Sequence, residues 1–412
     1  MLRIGRQGVG SDLADFRSGA FRLFFTSRTV SMVGDMMRPI VMVAAVLEAG
    51  YGVSGAGYAL AAEMVPYAMF VLLGGALADR YTPRRMMISA DVLRLVTMGT
   101  LAASFAFGQP QLWHILALLA LTGLGAAAFQ PGVASVIPQI APDVQRGNAV
   151  LRVSESAMTV IGPAVAGLLL AFTDAWVVIL LDAVTFAVSA LCLSRLRLGK
   201  SGLSETPLIR GLAEGWREFR SRQWLWGTIV VWMCGGLLSR GPSQTLGASL
   251  ITSERSASIY GLIMAVFGVG HMVGGLLALR VQPRRPLVTG AVATATFALS
   301  PLAVALGLPT PITAFGYFIH GAGATFWLVM WHSTIQTQVP REALSRVHAY
   351  DVAGSRAVTP VGQALAGPVG EHMGLQTVLF AAAAFGAMVP AALLSIPGIR
   401  QLRRREATSG TT

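Results

Sequence analysis

The residues Gly74-Gly75-Ala76-Leu77-Ala78-Asp79-Arg80-Tyr81-Thr82-Pro83-Arg84-Arg85 join two apolar runs, each too long for an ordinary core helix. The chain writes the stretch again as Gly274-Gly275-Leu276-Leu277-Ala278-Leu279-Arg280-Val281-Gln282-Pro283-Arg284-Arg285, identical at 8 of 12 positions without a gap. The echo continues at the same offset in Arg146 and Arg346, Ala149 and Ala349, Gly162 and Gly362, Ala166 and Ala366, and Gly167 and Gly367. Matches at one fixed offset over this length indicate a duplicated chain.

That chain is composed for lipid. Its 412 residues are 54% hydrophobic and 12% charged, with a mean hydropathy of +0.63, more apolar surface than a soluble core can bury. Twelve runs approach the length of about 20 residues that a helix needs to cross the hydrocarbon: 22–47, 54–78, 86–107, 112–139, 148–172, 175–195, 224–250, 257–279, 286–306, 311–338, 346–370 and 375–397. Backbone groups in lipid bond within their own segment or close a barrel, and strand-type alternation is absent. The expected fold is therefore all-α: a polytopic membrane protein of 12 transmembrane helices in two pseudo-symmetric six-helix bundles. Its expected parts are an N-terminal bundle over 1–195, a cytoplasmic linker over 196–223, a C-terminal bundle over 224–399 and a basic tail over 400–412. Two such halves, related as parallel repeats, are the layout of transporters that place one substrate site between them.

The formal charge of +12 lies in short basic clusters between the apolar runs, with no interleaved aromatic motif, which excludes a nucleic-acid partner. Cytoplasmic loops collect arginine and lysine. With the amino terminus inside, 24 of the 31 basic residues fall on the cytoplasmic side, and only Arg255 falls in an outer loop. Both termini are expected in the cytoplasm of a protein lodged in the cell membrane. The first twenty residues lack the apolar core and cleavage site of a signal peptide, so the first span is expected to remain. In the linker, Thr206-Pro207 forms a helix start, and Ile209, Leu212, Trp216 and Phe219 follow a helical spacing beside Arg210, Arg217, Arg220 and Arg222. This pattern fits a helix lying on the cytoplasmic leaflet, and equally a tether whose charges only enforce topology.

Ionisable groups inside spans are expensive and mark functional candidates. Asp35 and Arg38 lie one turn apart in the first span, and Glu63 enters the second span to a similar depth, so the three are expected to cluster. A buried acid beside a cation can exchange a proton, which makes Asp35 the first candidate for proton coupling; a fixed charge set that only orients helices is the alternative. Asp91 with Arg94, and Arg152 with Glu155, repeat the one-turn spacing as structural or gating pairs. Trp327 and Trp331 present one aromatic face of the tenth span beside His332, for packing or for stacking on a substrate, and Asp351 has no partner nearby in sequence. Asp79 faces the negative end of its own helix dipole and needs a partner elsewhere, either a latch between conformations or solvent. Arg84 and Arg85 stand at a helix start, the wrong end for a cation, so topology or an acid must account for them.

These stretches resemble a family. Gly75-Ala-Leu-Ala-Asp79-Arg80-Tyr81-Thr82-Pro83-Arg84 is similar to the loop motif of the major facilitator superfamily, G-x-L-A-D-R-x-G-R-R, with Thr82 for glycine and Pro83 for the first basic residue. The resemblance implies a latch of Gly75, Asp79, Arg80, Arg84 and Arg85, in which Asp79 stabilises the outward-facing state through a helix of the other half. Gly162-Pro163-Ala164-Val165-Ala166-Gly167 is similar to the glycine-proline motif of antiporters, with Gly162, Pro163 and Gly167 as its residues. Val33-Gly34-Asp35, Asp91-Val-Leu-Arg94, Phe129-Gln130-Pro131 and Arg146-Gly-Asn148-Ala149 look like the branch of macrolide-efflux and siderophore exporters. The resemblance implies proton-coupled efflux of a small amphipathic molecule, a drug, antibiotic or siderophore, by alternating access. Gln130, Trp327, Trp331, His332 and Asp351 are its candidate cavity residues. Uptake symport of a small metabolite is the alternative, and a non-transporting receptor or assembly factor is a further one.

No enzyme is expected: no nucleophile and base are paired, and no G-x-x-x-x-G-K-[ST] loop supplies ATP drive. Cys192 and Cys234 lie within apolar runs without metal or redox spacing, so no metal and no cofactor is expected. The partners are the substrate, protons and the bilayer, around a chain expected to be monomeric.

Overall fold

Ser18 opens the first helix by accepting the Phe21 N–H on its side-chain oxygen at 3.2 Å, satisfying one of the donors that a helix start leaves bare. The computed structural model describes residues 18–78, 82–141, 144–196, 216, 217, 219–281, 283–339, 347, 351, 354, 355, 357 and 358–402. The first half contributes α1 (Gly19–Glu48), α2 (Gly52–Ala78), α3 (Pro83–Phe107), α4 (Leu112–Ile140), α5 (Val144–Leu170) and α6 (Ala175–Arg195). The second contributes α7 (Gln223–Gly235), α8 (Gly241–Glu254), α9 (Ala257–Arg280), α10 (Pro286–Ala293), α11 (Leu299–Ala305), α12 (Thr310–Gln338), α13 (Thr359–Met373), α14 (Leu375–Ser395) and the short α15 (Pro397–Gln401). No strand occurs among the described residues, and nine of their helices are long and apolar enough to cross a membrane. The chain is an all-helical, multi-pass membrane protein.

Two expected spans are continuous in sequence but not in helix type. The run at 224–250 is α7, a π turn over Gly236–Arg240, and α8. Pro242 cannot donate to the carbonyl four residues back, and glycines at 235, 236 and 241 let the backbone widen there. The run at 286–306 passes from α10 through a 3-10 turn, Thr294–Ala298, into α11. Pro301 removes the helical bond to the carbonyl of Phe297, at the end of that tightened turn. Of the expected 346–370 span, α13 is described as a continuous helix; most residues between 346 and 353 lie outside the described ones.

Within the first half, α1 packs on α5 and α6, α3 on α4 and α6, and α2 on α4; within the second, α9 and α10 pack on α12, and α8 on α13. Between the halves, α8 touches α1 and α2, and α9 touches α1, but they meet chiefly through two pairs, α5 with α9 and α2 with α13. Small residues set both contacts, as they do where helices associate without a hydrophobic driving force. A Cβ added to Gly167 would lie 2.8 Å from the Ser258 carbonyl oxygen, and one at Gly367 2.3 Å from the Ser54 Cα. Ser54 also donates its hydroxyl to Glu371 at 2.7 Å across the second seam.

The cores differ between the two ends of the helices. At the end carrying residues 49–51 and 374, one apolar cluster runs through both halves, joining Val46 and Ile179 to Leu246, Tyr260 and Leu379. At the opposite end the described residues form separate clusters: Phe21, Phe24, Met87, Ile140 and Leu193 in the first half, and Trp224, Leu287, Trp331, Ile335 and Leu393 in the second. The described part of the linker joins the latter cluster. Phe219 is buried and stacks 5.7 Å from the half-exposed Trp216, while Ile209, Arg210 and Leu212 lie outside the described residues.

Candidate functional site

In the first half the in-span charges converge. Asp35 and Arg38 rise one turn apart on α1, and α2, α3 and α6 close around them. Arg38 donates from Nε to Asp182 Oδ2 at 2.7 Å and from Nη2 to Asp35 Oδ1 at 2.6 Å, and its Nη1 bonds Glu63 Oε1. Arg94 of α3 donates to the same Asp35 oxygen and pairs with Asp91 at 3.7 Å. Ser189 donates to Asp91 at 2.5 Å and shares a 2.7 Å hydrogen bond with Ser27. The Phe186 ring lies under both guanidiniums, 3.8 Å from Arg94 and 5.4 Å from Arg38.

Close backbone approach makes this possible. Any side chain at Gly34 would collide with Asp182, its Cβ falling 2.1 Å from Oδ1, and one at Gly125 would press into the Arg94 stem at 2.8 Å. The set holds the carboxylates of Asp35, Glu63, Asp91 and Asp182 against the guanidiniums of Arg38 and Arg94, two more acids than bases. Solvent reaches them unequally. Asp35 and Glu63 have side chains 21% and 24% exposed, while Arg38, Arg94, Asp91 and Asp182 are at 2% or less.

The expected trio of Asp35, Arg38 and Glu63 is therefore brought together, and its three further members are Asp182, Arg94 and, through Arg94, Asp91. Asp182 is 144 residues from Arg38, a pairing no local spacing signals. Arg94 keeps its expected neighbour Asp91 but is bound more closely to Asp35. Of the expected Arg152–Glu155 pair, the Arg152 side chain lies outside the described ones, and Glu155 accepts a hydrogen bond from Arg28 at 3.1 Å.

The loop motif is only partly visible. Asp79 and Arg80 lie outside the described residues, and Gly75 falls in α2 with its surroundings undescribed. Arg84, expected to answer to topology or an acid, donates to the backbone carbonyls of Leu193 at 2.9 Å and of Ser194. These carbonyls close the end of α6, where a cation suits the helix dipole, and that of Leu193 also accepts the Leu196 N–H at 3.1 Å. Arg85 is exposed. The antiporter-like glycines are contact points: Gly162 lies against Met36 of α1, and Pro163 and Gly167 face Gly261 of α9.

Beside the network, the second half encloses a cavity of ≈ 360 Å³. Trp232, Phe267, Phe297, Tyr260 and Tyr317 give it an aromatic wall, and His271, His320, Arg240 and Gln244 its polar groups. His271 and His320 each engage a hydroxyl through Nδ1, that of Thr325 at 2.5 Å and Ser300 at 2.6 Å. Met64, next to Glu63 in α2, brings the first half to the wall. The size and mostly apolar lining suit a small amphipathic molecule.

The candidate cavity residues are elsewhere. Trp327 and Trp331, 3% and 2% exposed, stack on each other at 5.7 Å inside the second-half core, so their shared face serves packing and not the cavity wall. Trp331 Nε1 donates to Asp351 at 3.1 Å, and His332 lies 3.9 Å from the same carboxylate, which supplies Asp351 with the partners its sequence surroundings lack. Gln130 is half-buried on α4 and does not line the cavity. The groups that do line it, His271, His320 and Arg240, appear in sequence only as isolated polar residues.

The pattern of the Major Facilitator Superfamily matches residues 24–362. The chain is 25% identical over 409 residues to the protein called multidrug efflux pump Tap of Mycobacterium tuberculosis, covering 94% of this chain and 95% of that one. A bacterial homologue of the human lysosomal transporter Spinster shares the fold with a TM-score of 0.75 at 14% identity, covering 95% of this chain and 100% of that chain. The nucleoside transporter NupG does so with a TM-score of 0.72 at 11% identity, over 92% and 99%.

Proposed function

The chain belongs to the Major Facilitator Superfamily and is a transporter, not an enzyme; from that premise we propose that it exports a small amphipathic molecule across the bacterial cell membrane in exchange for protons. The observation that carries this reading is the charge set with two surplus carboxylates, of which Asp35 and Glu63 reach solvent and Glu63 adjoins the cavity wall through Met64. The likeness to an efflux pump supports outward over inward transport.

In this reading 1–195 and 224–399 are two six-helix bundles joined by the linker 196–223, with the tail 400–412 and both termini in the cytoplasm. The shared apolar cluster then seals the outer side, and the separate clusters flank an opening to the cytoplasm. A proton on Asp35 removes the charge that Arg38 and Arg94 both grip, freeing α1 from α3. Loss of that proton restores the grip. Proton and substrate each favour one opening through their differential affinity for the two states. The loop motif around Asp79 latches one of them.

Inverted membrane vesicles made acid inside test the proposal with a panel of neutral, anionic and cationic aromatic probes. Export predicts accumulation of at least one probe, abolished by a protonophore and absent without the protein. Proton-driven depletion from the lumen would mean uptake symport, and movement of no probe would remove the transport reading.

A further inference from the structure

The π turn Gly236–Arg240 is a feature the proton network does not use. Such turns carry an extra residue and displace the side chains that follow, and they recur at functional sites. Here the turn delivers Ser239 and Arg240 to the cavity wall, followed by Ser243 of α8. The turn presses against the start of α13, where a Cβ on Gly236 would lie 2.8 Å from the Thr359 hydroxyl oxygen.

Three observations give this wall a chemical preference. Arg240, exposed and 5.8 Å from the Trp232 ring, is the one formally charged side chain among the described residues lining the cavity, and no carboxylate stands among them. Ser243 and Thr359, on the same wall, hold buried hydroxyl oxygens without a hydrogen-bond partner. Buried polar groups are normally paired, so each is a donor awaiting an acceptor. Trp232 and Phe297 lie 5.7 Å apart, and Phe267 stands near-perpendicular to His271 and His320 at 4.5 and 5.4 Å, so that aromatic rings gather beside the cation.

We propose that this wall is the specificity site of the transporter and takes a planar aromatic carboxylate. The carboxylate pairs with Arg240 and draws on the hydroxyls of Ser243 and Thr359, and its ring lies among Trp232, Phe267 and Phe297. This rests on the reading of the cavity as the transport site, and sets the second-half wall apart from the acidic first half. A cation of the same shape meets Arg240 as a like charge and is rejected.

Equilibrium dialysis of the purified full chain with 1-naphthoate, 1-naphthalenemethanol and 1-naphthylmethylammonium tests the assignment. Naphthoate is expected to bind about tenfold or more tighter than the ammonium compound, the span of a charge-assisted bond. Arg240→Gln is expected to lose about that factor for naphthoate alone, Arg240→Lys to keep most of it, and Thr359→Val to show a smaller loss. Each variant is compared only where it elutes as a single species, and Arg240→Lys serves where Arg240→Gln does not fold, its retained preference again supporting the site. Equal or tighter binding of the ammonium compound, or unchanged naphthoate binding in folded Arg240→Gln, would overturn the proposal. Arg240-dependent binding by a protein that moves no probe in vesicles would leave this site standing and remove the transport reading. Proton-driven transport with no preference for the anion would do the reverse.

Discussion

Position by position, the first half puts Asp35, Arg38, Glu63, Asp91, Arg94 and Asp182 where the second, 200 residues on, has Gly235, Leu238, Ile263, Ala291, Thr294 and Ala382. Where the second half has Arg240, His271 and His320, the first has Ile40, Val71 and Ala120. Neither half carries the other's polar groups. One became a network of paired charges, the other an aromatic chamber. The π turn begins one residue after the counterpart of Asp35, so the level at which one copy holds its charges is the level at which the other bends its backbone. In the proposed reading, ion and substrate therefore act in different halves, joined where Met64 meets the cavity.

The sharpest break of this contrast is Arg38→Met. Removing the guanidinium that holds three carboxylates leaves buried charge uncompensated, at a cost of roughly 3–5 kcal/mol. Loss of most folded protein is expected in thermal-shift and size-exclusion measurements. The counterpart Leu238, 49% exposed, is expected to tolerate alanine. Next is Trp327→Ala, expected to cost about 3–5 kcal/mol in thermal stability through the void it leaves. It is also expected to leave probe affinity unchanged in the surviving folded fraction; a selective loss of affinity would return Trp327 to the cavity.

A smaller effect concerns the seam between the halves. Gly167→Leu forces α5 from α9 and is expected to shift the balance by about 1–3 kcal/mol against the state closed at that end. Spin labels at Phe172 and Glu254 are expected to report a longer distance in the variant; an unchanged distance would detach the seam from gating. Smallest is Arg84→Ala. Removing its bonds to the carbonyls of Leu193 and Ser194 is expected to lower thermal stability by about 1 kcal/mol in thermal-shift measurements.

What could be read from the chain follows from the range of the interactions. Periodicity and basic clustering act locally, so the apolar runs, the repeat and the one-turn pair of Asp35 and Arg38 were legible, and equal depth brought in Glu63. Asp182 and Arg94 complete the network through α6 and α3, whose close approach to α1 and α4 leaves no room for a side chain at Gly34 and Gly125, and a missing side chain carries no label of its partner. Arg84 binds backbone carbonyls, which every residue possesses and no sequence pattern marks. Trp327 and Trp331 have the four-residue spacing of an aromatic face, but spacing does not tell a face turned to a cavity from one turned to a core. The cavity itself was hidden because its polar residues come singly from several helices and converge only once those pack.

The central claim is that Asp35 couples proton movement to transport and is separable from the substrate wall. It is tested most directly by Asp35→Asn in liposomes, comparing substrate accumulation under an imposed pH gradient with substrate exchange at equal pH. The account predicts that accumulation falls to the level of empty liposomes while exchange and thermal stability persist. Full gradient-driven accumulation by folded Asp35→Asn would contradict it.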